Sequence, residues 1–515
     1  MTASPERRAI IVGSGIAGLS AALHLGDCTV ITKSFLGAGS TRLAQGGLAV
    51  ALGPDDSVEQ HVEDTLRVSA GLGDRHVAQH VVSGAIEGVE WLADIGATFD
   101  MHDDRLQLGR EAGHSLHRIV HANGDATGAE VVRALTRAVA ERPDIEVLEN
   151  TFAIDAIVQN DRVVGLITID ANGASALVAQ AVVLATGGIG SVYSATTNPA
   201  GATGDGLALA WRAGAQIRDC EFVQFHPTAL ANGRDPLPLL TEALRGAGGR
   251  LVNGRGERFM TGIHDDAELA PRDVVARAIW SQLRIDSVFL DVRHIPAVAD
   301  RFPTAAASAS AVGLDIVEDL LPVTPAQHYF MGGVVVDESG RSTVPGLYAA
   351  GEVTSSGLHG ANRLASNSLI EGLVFGRSIS ESIRNDDLRR SHDFAPSARS
   401  YDFAPSARSH DFAPSAPMPE AVAELRELMW LHGGIMRAGD GLRTARDEIV
   451  RLRPALAVHP ESDNLAVVAA LIVDAALARR ESRGAHQRVD YPALDPMLDR
   501  SIVSALRPSD PAMAD

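Results

Sequence analysis

The chain has 515 residues, 45% of them hydrophobic and 21% charged, a mix that suits a globular protein of about two to four domains with a large core. A formal net charge of -20, with no basic stripe to offset it, argues against a nucleic-acid partner. Cys28 and Cys220 are the only cysteines, which excludes a disulfide framework and a cysteine-rich zinc or iron–sulfur site and suits a reducing compartment.

No apolar run approaches the roughly 18 residues of a membrane span. Gly13 and Gly15 interrupt the apolar stretch behind Arg7 and Arg8, so that stretch reads as a strand and not as a signal peptide. Cytoplasmic residence is the expectation. Ile10-Ile11-Val12 runs into Gly13-Ser14-Gly15-Ile16-Ala17-Gly18 and then into the helical run Leu19-Ser20-Ala21-Ala22-Leu23. This is GxGxxG in its strand–turn–helix setting. The first glycine permits the tight turn, the second lets the backbone approach a pyrophosphate, and the third lets the helix pack close to the strand. A dinucleotide is the expected ligand, with its phosphates on the helix N-terminus. The second strand, 29–32, ends at Lys33, where a dinucleotide fold often places Asp or Glu for the ribose hydroxyls. That weakens a simple NAD reading and suits a phosphate or a flavin. Residues 37–47 hold too many glycines and small polar residues for a core element, and their amides and hydroxyls suit wrapping a cofactor.

Residues 57–95 carry apolar side chains at helical spacing, with a break at Gly71 and Gly73, and 129–142 reads as a further helix. Strands are expected at Ile145–Leu148, Phe152–Gln159 and 162–169, with a turn at Asn160-Asp161. Residues 177–184 are near-continuously apolar, as in a parallel strand buried on both faces, and Ala185-Thr186-Gly187-Gly188 closes it. From Cys220 to about His328 the pattern changes to short helices and loops rich in Arg, His and Pro, which reads as a second domain inserted into the first. Strand character resumes at 332–337 and 347–352, and a helix follows over 368–384. Residues 391–416 repeat the nonapeptide Ser391-His392-Asp393-Phe394-Ala395-Pro396-Ser397-Ala398-Arg399 nearly three times, and are too rich in Pro, Ser and Ala to build a core. They read as a surface linker or expanded loop; the alternative is a docking site anchored by the equally spaced Phe394, Phe403 and Phe412. Helical patterns at 421–436, 442–452 and 463–481 make a C-terminal helical domain.

Three arginines, Arg245, Arg272 and Arg363, lie in segments suited to a site, and converging guanidinium forks would define a dicarboxylate pocket. Spacing alone does not show that they converge. His226 and His328 divide evenly between structural and ligand roles, and they lack the compact ligand spacing of a zinc site, so no metal is expected.

In combination, the Gly13 fingerprint, Ala44-Gln45-Gly46-Gly47, Ala185-Thr186-Gly187-Gly188, Thr203-Gly204-Asp205-Gly206, Gln224-Phe225-His226-Pro227-Thr228, Pro271-Arg272-Asp273 and the run from Ala350-Gly351-Glu352 to Glu371-Gly372 carry a specific resemblance. The chain resembles the flavoprotein family that contains L-aspartate oxidase, fumarate reductase and the succinate dehydrogenase flavoprotein subunit, closely over 1–385 and more loosely in the helical tail. The resemblance implies an α/β fold: an FAD-binding Rossmann-like domain (1–219 and 330–390) with an inserted α+β capping domain (220–329), then the repeat linker (391–419) and a C-terminal helical domain (420–515). It implies pyrophosphate contacts at Gly13, Ser14, Gly15 and Ala17, with Ile16 and Gly18 in the same turn. Flavin and ribityl contacts are implied at Lys33, Ser40, Thr41, Gly46 and Gly47, with Arg42, Leu43, Ala44 and Gln45 in the same loop. Ala153 is implied as the adenine contact, and Asp205, Glu352, Ser368 and Leu369 complete the cofactor set.

Aligned on Gln45-Gly46-Gly47, the histidine that bonds FAD covalently in respiratory members falls at Ser40. A serine cannot form that bond, so noncovalent FAD is implied. Gly39-Ser40-Thr41 and Gly109-Arg110-Glu111-Ala112-Gly113-His114-Ser115 resemble the L-aspartate oxidase branch. The implied reaction is dehydrogenation of L-aspartate to iminoaspartate, with oxygen or fumarate as acceptor, feeding quinolinate and NAD synthesis. Arg272 is implied as the proton-transferring group. His226, Thr241, His328 and Arg363 hold the two carboxylates with Ser366 nearby, and Glu111 meets the ammonium. Quinolinate synthase, which consumes the unstable product, is the implied protein partner.

Overall fold

The computed structural model describes residues 7–390 and 420–505. The nonapeptide repeat at 391–416 lies outside the described residues.

The main sheet has seven strands. Its parallel part runs Ile145–Leu148, Cys28–Ile31, Arg7–Val12 and then the C-terminal half of Gly173–Leu184, with Leu347–Ala349 also parallel to residues 182–184. The N-terminal half of Gly173–Leu184 instead pairs antiparallel with Arg162–Asp170, which pairs antiparallel with Phe152–Gln159. One strand therefore serves two environments. Its sequence records the switch: Gly173-Ala174-Ser175-Ala176 is exposed and small, while Ala181–Leu184 is buried and apolar. Only the second half carries a buried-strand signature, so the expected strand at 177–184 is the parallel half of a longer one.

The turn after the first strand is set by two close approaches. Gly13 has φ +109, and a Cβ there would lie 2.2 Å from the Ala185 carbonyl oxygen. A Cβ on Gly18 would lie 2.1 Å from the Gly13 oxygen. No larger residue fits either place, so the helix Ile16–Leu25 sits tightly on the strand. That helix packs against the long helix Asn367–Arg390. The expected helices in 57–95 are Val58–Val68 and Arg75–Asp94, separated as the glycines suggested.

The segment after Cys220 contains more strand than its sequence suggests. A four-stranded antiparallel sheet is built from Val223–Leu230, Leu321–Phe330, Val288–Asp291 and Arg250–Asn253. It packs with the helices Arg272–Leu283 and Pro303–Ser310 around a core separate from that of the main sheet. The expectation of short helices and loops is corrected here, and the reason is local. Val223–Leu230 is buried at every position, so it shows no alternation, and Pro227 breaks its apparent strand propensity. The ladder absorbs the proline through register shifts between Gln224 and Phe225 and between His226 and Ala229.

After residue 420 the helices Ala421–His432, Gly439–Leu456 and Pro460–Ala478 follow one another, and Val503–Ser504 returns to pair with Ile217–Arg218. No helix among the described residues is long and apolar enough to cross a membrane.

Candidate active site

A deep cleft opens at the C-terminal ends of the parallel strands, where such sheets place their ligands. Its wall includes Gly13, Ser14, Gly15, Ile16 and Ala17 from the first turn, Ser40, Thr41, Leu43 and Ala44 from the glycine-rich loop, and Lys33, Ala153, Asp205, Glu352, Ser368 and Leu369. Gly39 and Gly187 face open space, with no atom within 4 Å of an added Cβ, so side chains there would fill the cleft. Thr41 ties the loop to the turn by accepting the Ile16 amide at 3.1 Å. Burial pushes the Glu352 carboxyl up to about 7, although its Oε1 accepts the Phe330 amide at 3.0 Å.

Five of the expected cofactor residues stand behind this wall. Gly18 packs on Gly13, and Arg42 is exposed over the Phe35 ring at 5.9 Å. The Gln45 amide donates to the Leu239 carbonyl at 2.9 Å, Gly46 abuts Glu111 and Ser366, and Gly47 packs on Ile119 and Val120. Their spacing within a contiguous motif gives no sign of which residues face inward, because the short helix Ser40–Leu43 turns the loop.

Lys33 is held by Thr203 Oγ1 at 2.6 Å, Asp205 Oδ2 at 2.7 Å and Glu461 Oε1 at 2.5 Å. Burial alone would lower the Lys33 pKa, but the two carboxylates outweigh it and the net shift is upward. Asn464 donates to the other Asp205 oxygen at 2.9 Å. Glu461 and Asn464 come from the first turns of Pro460–Ala478, so a C-terminal helix backs Lys33 and Asp205 on this side of the cleft. No local motif marks either residue.

Beside the cleft, three arginines gather around two side chains, and of the three Arg363 lines the wall. Arg272 donates from Nε to Glu242 Oε2 at 2.6 Å and from Nη1 to Gln224 Oε1 at 3.0 Å. Arg363 donates to the same Gln224 oxygen at 3.2 Å and to Ser368 Oγ at 2.7 Å, and its guanidinium lies 4.4 Å from the Tyr329 ring centroid. Arg245 approaches the second Glu242 oxygen at 3.3 Å. The convergence that spacing could not show is therefore real. Burial, and then Arg272, pulls the Arg363 pKa down to about 10. Burial opposes charge on Glu242, but Arg272 and Arg245 outweigh it and hold its carboxyl below the usual range. Gln224, Glu242 and Tyr329 received no role from the sequence; only the charge of Glu242 beside Thr241 hinted at one.

His226 and His328 face each other with ring centroids 5.1 Å apart. Burial first, then the nearby Arg272, pushes both pKa values well below the ordinary one, so both rings are neutral. The Thr228 amide, which can only donate, sits 3.2 Å from His226 Nδ1. That nitrogen is therefore the acceptor and Nε2 carries the hydrogen. Nε2 is buried without a partner, as is Arg363 Nε. Thr241 caps the short helix Glu242–Gly246 and so places Glu242 and Arg245. Glu111 and Ser366 are also buried: Ser366, at φ +62, donates to Glu111 Oε2 at 2.6 Å and accepts the Gly47 amide at 3.2 Å. A Cβ on Gly46 would lie 3.2 Å from both.

The FAD binding domain family matches residues 8–369, and the fumarate reductase flavoprotein C-terminal family matches residues 454–505. The chain is 44% identical to the L-aspartate oxidase of Streptomyces coelicolor over 97% of this chain and 91% of that one. It is 45% identical to that of Agrobacterium fabrum over 94% and 91%. The chain belongs to the L-aspartate oxidase family. Among solved structures, E. coli quinol fumarate reductase aligns with a TM-score of 0.88 at 29% identity, over 96% of this chain and 94% of that one. Mycobacterium smegmatis Sdh1 aligns with a TM-score of 0.80 at 30% identity, over 98% and 94%. The resemblance read from the motifs and the fold class it implied are thus borne out.

FAD is the cofactor of this family member, and the cleft fits it: a glycine-walled trough beside a helix N-terminus, with open space at Gly39 and Gly187. Ser40 on its wall carries no ring nitrogen, so the flavin is held noncovalently. Glu461→Gln is expected to weaken FAD about tenfold, because Lys33 loses one of its two carboxylates. Titration of the apoprotein with FAD, followed by flavin fluorescence, measures it. An unchanged dissociation constant would remove Glu461 from the cofactor site.

Proposed function

We propose that the protein oxidises L-aspartate to iminoaspartate, with oxygen or fumarate as the electron acceptor. The observation that carries this reading is the buried meeting of Arg272 and Arg363 on one Gln224 oxygen, with the Glu111–Ser366 pair beside Gly46. Bound FAD supplies the two-electron redox chemistry; the protein supplies binding, orientation and proton handling.

Formal charges support the substrate class. Arg245, Arg272 and Arg363 contribute three positive charges, Glu111 and Glu242 two negative ones, and both histidines are neutral. These groups sum to a formal +1, opposite in sign to L-aspartate, which with two carboxylates and one ammonium is net -1. Arg363 and His226 Nε2–H, with Thr241 and His328, receive the carboxylates, while Glu111 receives the ammonium. Ser366 fixes the Glu111 carboxylate through its hydroxyl. A free guanidinium is a poor base. Arg272 acts as a proton carrier only through its partner: Glu242 Oε2, 2.6 Å from Arg272 Nε, accepts from it, and Arg245 faces the other oxygen as an ion pair at 3.3 Å. Arg245 in turn donates to the Glu268 carbonyl, and the Glu268 carboxylate pairs with the partly exposed Arg258.

This oxidation would be the first step of NAD synthesis, in the cytoplasm, and its product, iminoaspartate, would pass to quinolinate synthase. The test is hydrogen peroxide release from the purified holoprotein with L-aspartate against succinate. A clear preference for L-aspartate is expected; a preference for succinate overturns the assignment.

A further inference from the structure

Both active-site imidazoles must present a hydrogen if both are to hold carboxylates, and the chain fixes the two by different means. For His226 a backbone amide decides the tautomer, as described above. His328 has no such amide. Its Nδ1 lies 2.9 Å from Thr197 Oγ1, and Thr197 and His328 both line the cleft.

The hydroxyl has two places for its hydrogen. One is His328 Nδ1 at 2.9 Å; the other is the Gln327 carbonyl at 3.2 Å. That carbonyl already accepts the Thr197 amide at 2.9 Å, while Thr196 Oγ1, 3.3 Å from it, has a shorter acceptor in Gln327 Oε1 at 2.9 Å. Donation to Nδ1 uses the shorter of the two Thr197 contacts and leaves the imidazole hydrogen on Nε2, where a carboxylate ligand needs it. The backbone that carries the ring is held independently of this bond, because Asn198 donates to the His328 carbonyl at 2.9 Å and the Gln327 amide donates to the Ala195 carbonyl.

We infer that Thr197 is a positioning residue: its hydroxyl donates to His328 Nδ1, which leaves the hydrogen of the imidazole on Nε2 and makes His328 a second fixed donor to the substrate carboxylates. This rests on the reading of His328 as a carboxylate ligand. Without the hydroxyl, the ring is free to place its hydrogen on Nδ1 and offer the substrate a lone pair, which repels a carboxylate.

The test uses full-length holoprotein labelled with 15N-histidine, with the His328 signals assigned by their loss in His328→Gln. In the wild type, Nε2 is expected to give the protonated-type signal and Nδ1 the unprotonated-type one. The reverse assignment overturns the inference. In Thr197→Val the His328 tautomer is expected to become mixed, and KM for L-aspartate to rise about tenfold with a smaller change in kcat, the size of one lost hydrogen bond. Thr197→Ser is expected to restore both. A purely structural role for Thr197 would lower bound flavin and kcat without moving the tautomer, and that result also overturns the inference. A shifted tautomer with an unchanged KM upholds the part played by Thr197 and removes His328 from the carboxylate site instead.

Discussion

Arg272→Leu is expected to lose at least on the order of 10²-fold in turnover while keeping its FAD. The side chain is 10% exposed and makes two strong contacts, to Glu242 at 2.6 Å and to Gln224 at 3.0 Å. Loss of a buried charge that acts on the transition state typically removes several kcal/mol. A second effect adds to the first. Glu242 keeps its charge in a buried place because Arg272 and Arg245 face it. Without Arg272 the carboxyl pKa rises, the site loses its route for the proton, and Gln224 Oε1 keeps only Arg363 as a donor. FAD should remain because Arg272 starts the helix Arg272–Leu283 outside the cleft wall that holds the cofactor. Arg272→Lys is expected to recover little, since a single ammonium cannot reach Glu242 and Gln224 with the fork geometry of a guanidinium. Steady-state peroxide release and the flavin absorbance of the purified variants measure both halves. Near-normal turnover would take Arg272 out of the mechanism, and loss of the flavin would show that its helix supports the cofactor.

The parts legible in the sequence are those where one residue type is sterically compelled. Gly13 and Gly18 could be read because no Cβ fits at either position. Helices such as Arg75–Asp94 could be read because one face is buried and the other wet. What was not legible depends on distant chain meeting distant chain. Val223–Leu230 is a strand whose burial on both faces hides its period and whose proline is absorbed by a bulge in the strand itself, between His226 and Ala229. Glu461 reaches Lys33 across 428 positions, and nothing around it differs from any acidic first turn of a helix. The bridging of two arginines by Gln224 is of the same kind. A neutral amide between two guanidinium groups leaves the positive charge of the site for its ligand, a role visible only once Arg272 and Arg363 are seen on the same oxygen.

That charge balance also sets the outcome for Glu111. In Glu111→Gln the amide oxygen can still accept the Ser366 hydroxyl, so the loop and the Gly47 contact behind it have no reason to move. What changes is the formal charge of the site, from +1 to +2. L-Aspartate then loses the partner of its ammonium and meets a site with one positive charge too many. Fumarate carries no ammonium and two negative charges, and so matches the altered site better than the original one. Aspartate oxidation is expected to fall on the order of 10²-fold in kcat/KM, as when one member of a buried charge pair is removed, while fumarate reduction stays within about threefold or improves. Peroxide release with L-aspartate, and reoxidation of the chemically reduced protein by fumarate in the absence of oxygen, measure the two arms on the same preparation. Equal losses on both would mean that the substitution damages the site as a whole, and the assignment of Glu111 to the ammonium would fall with it.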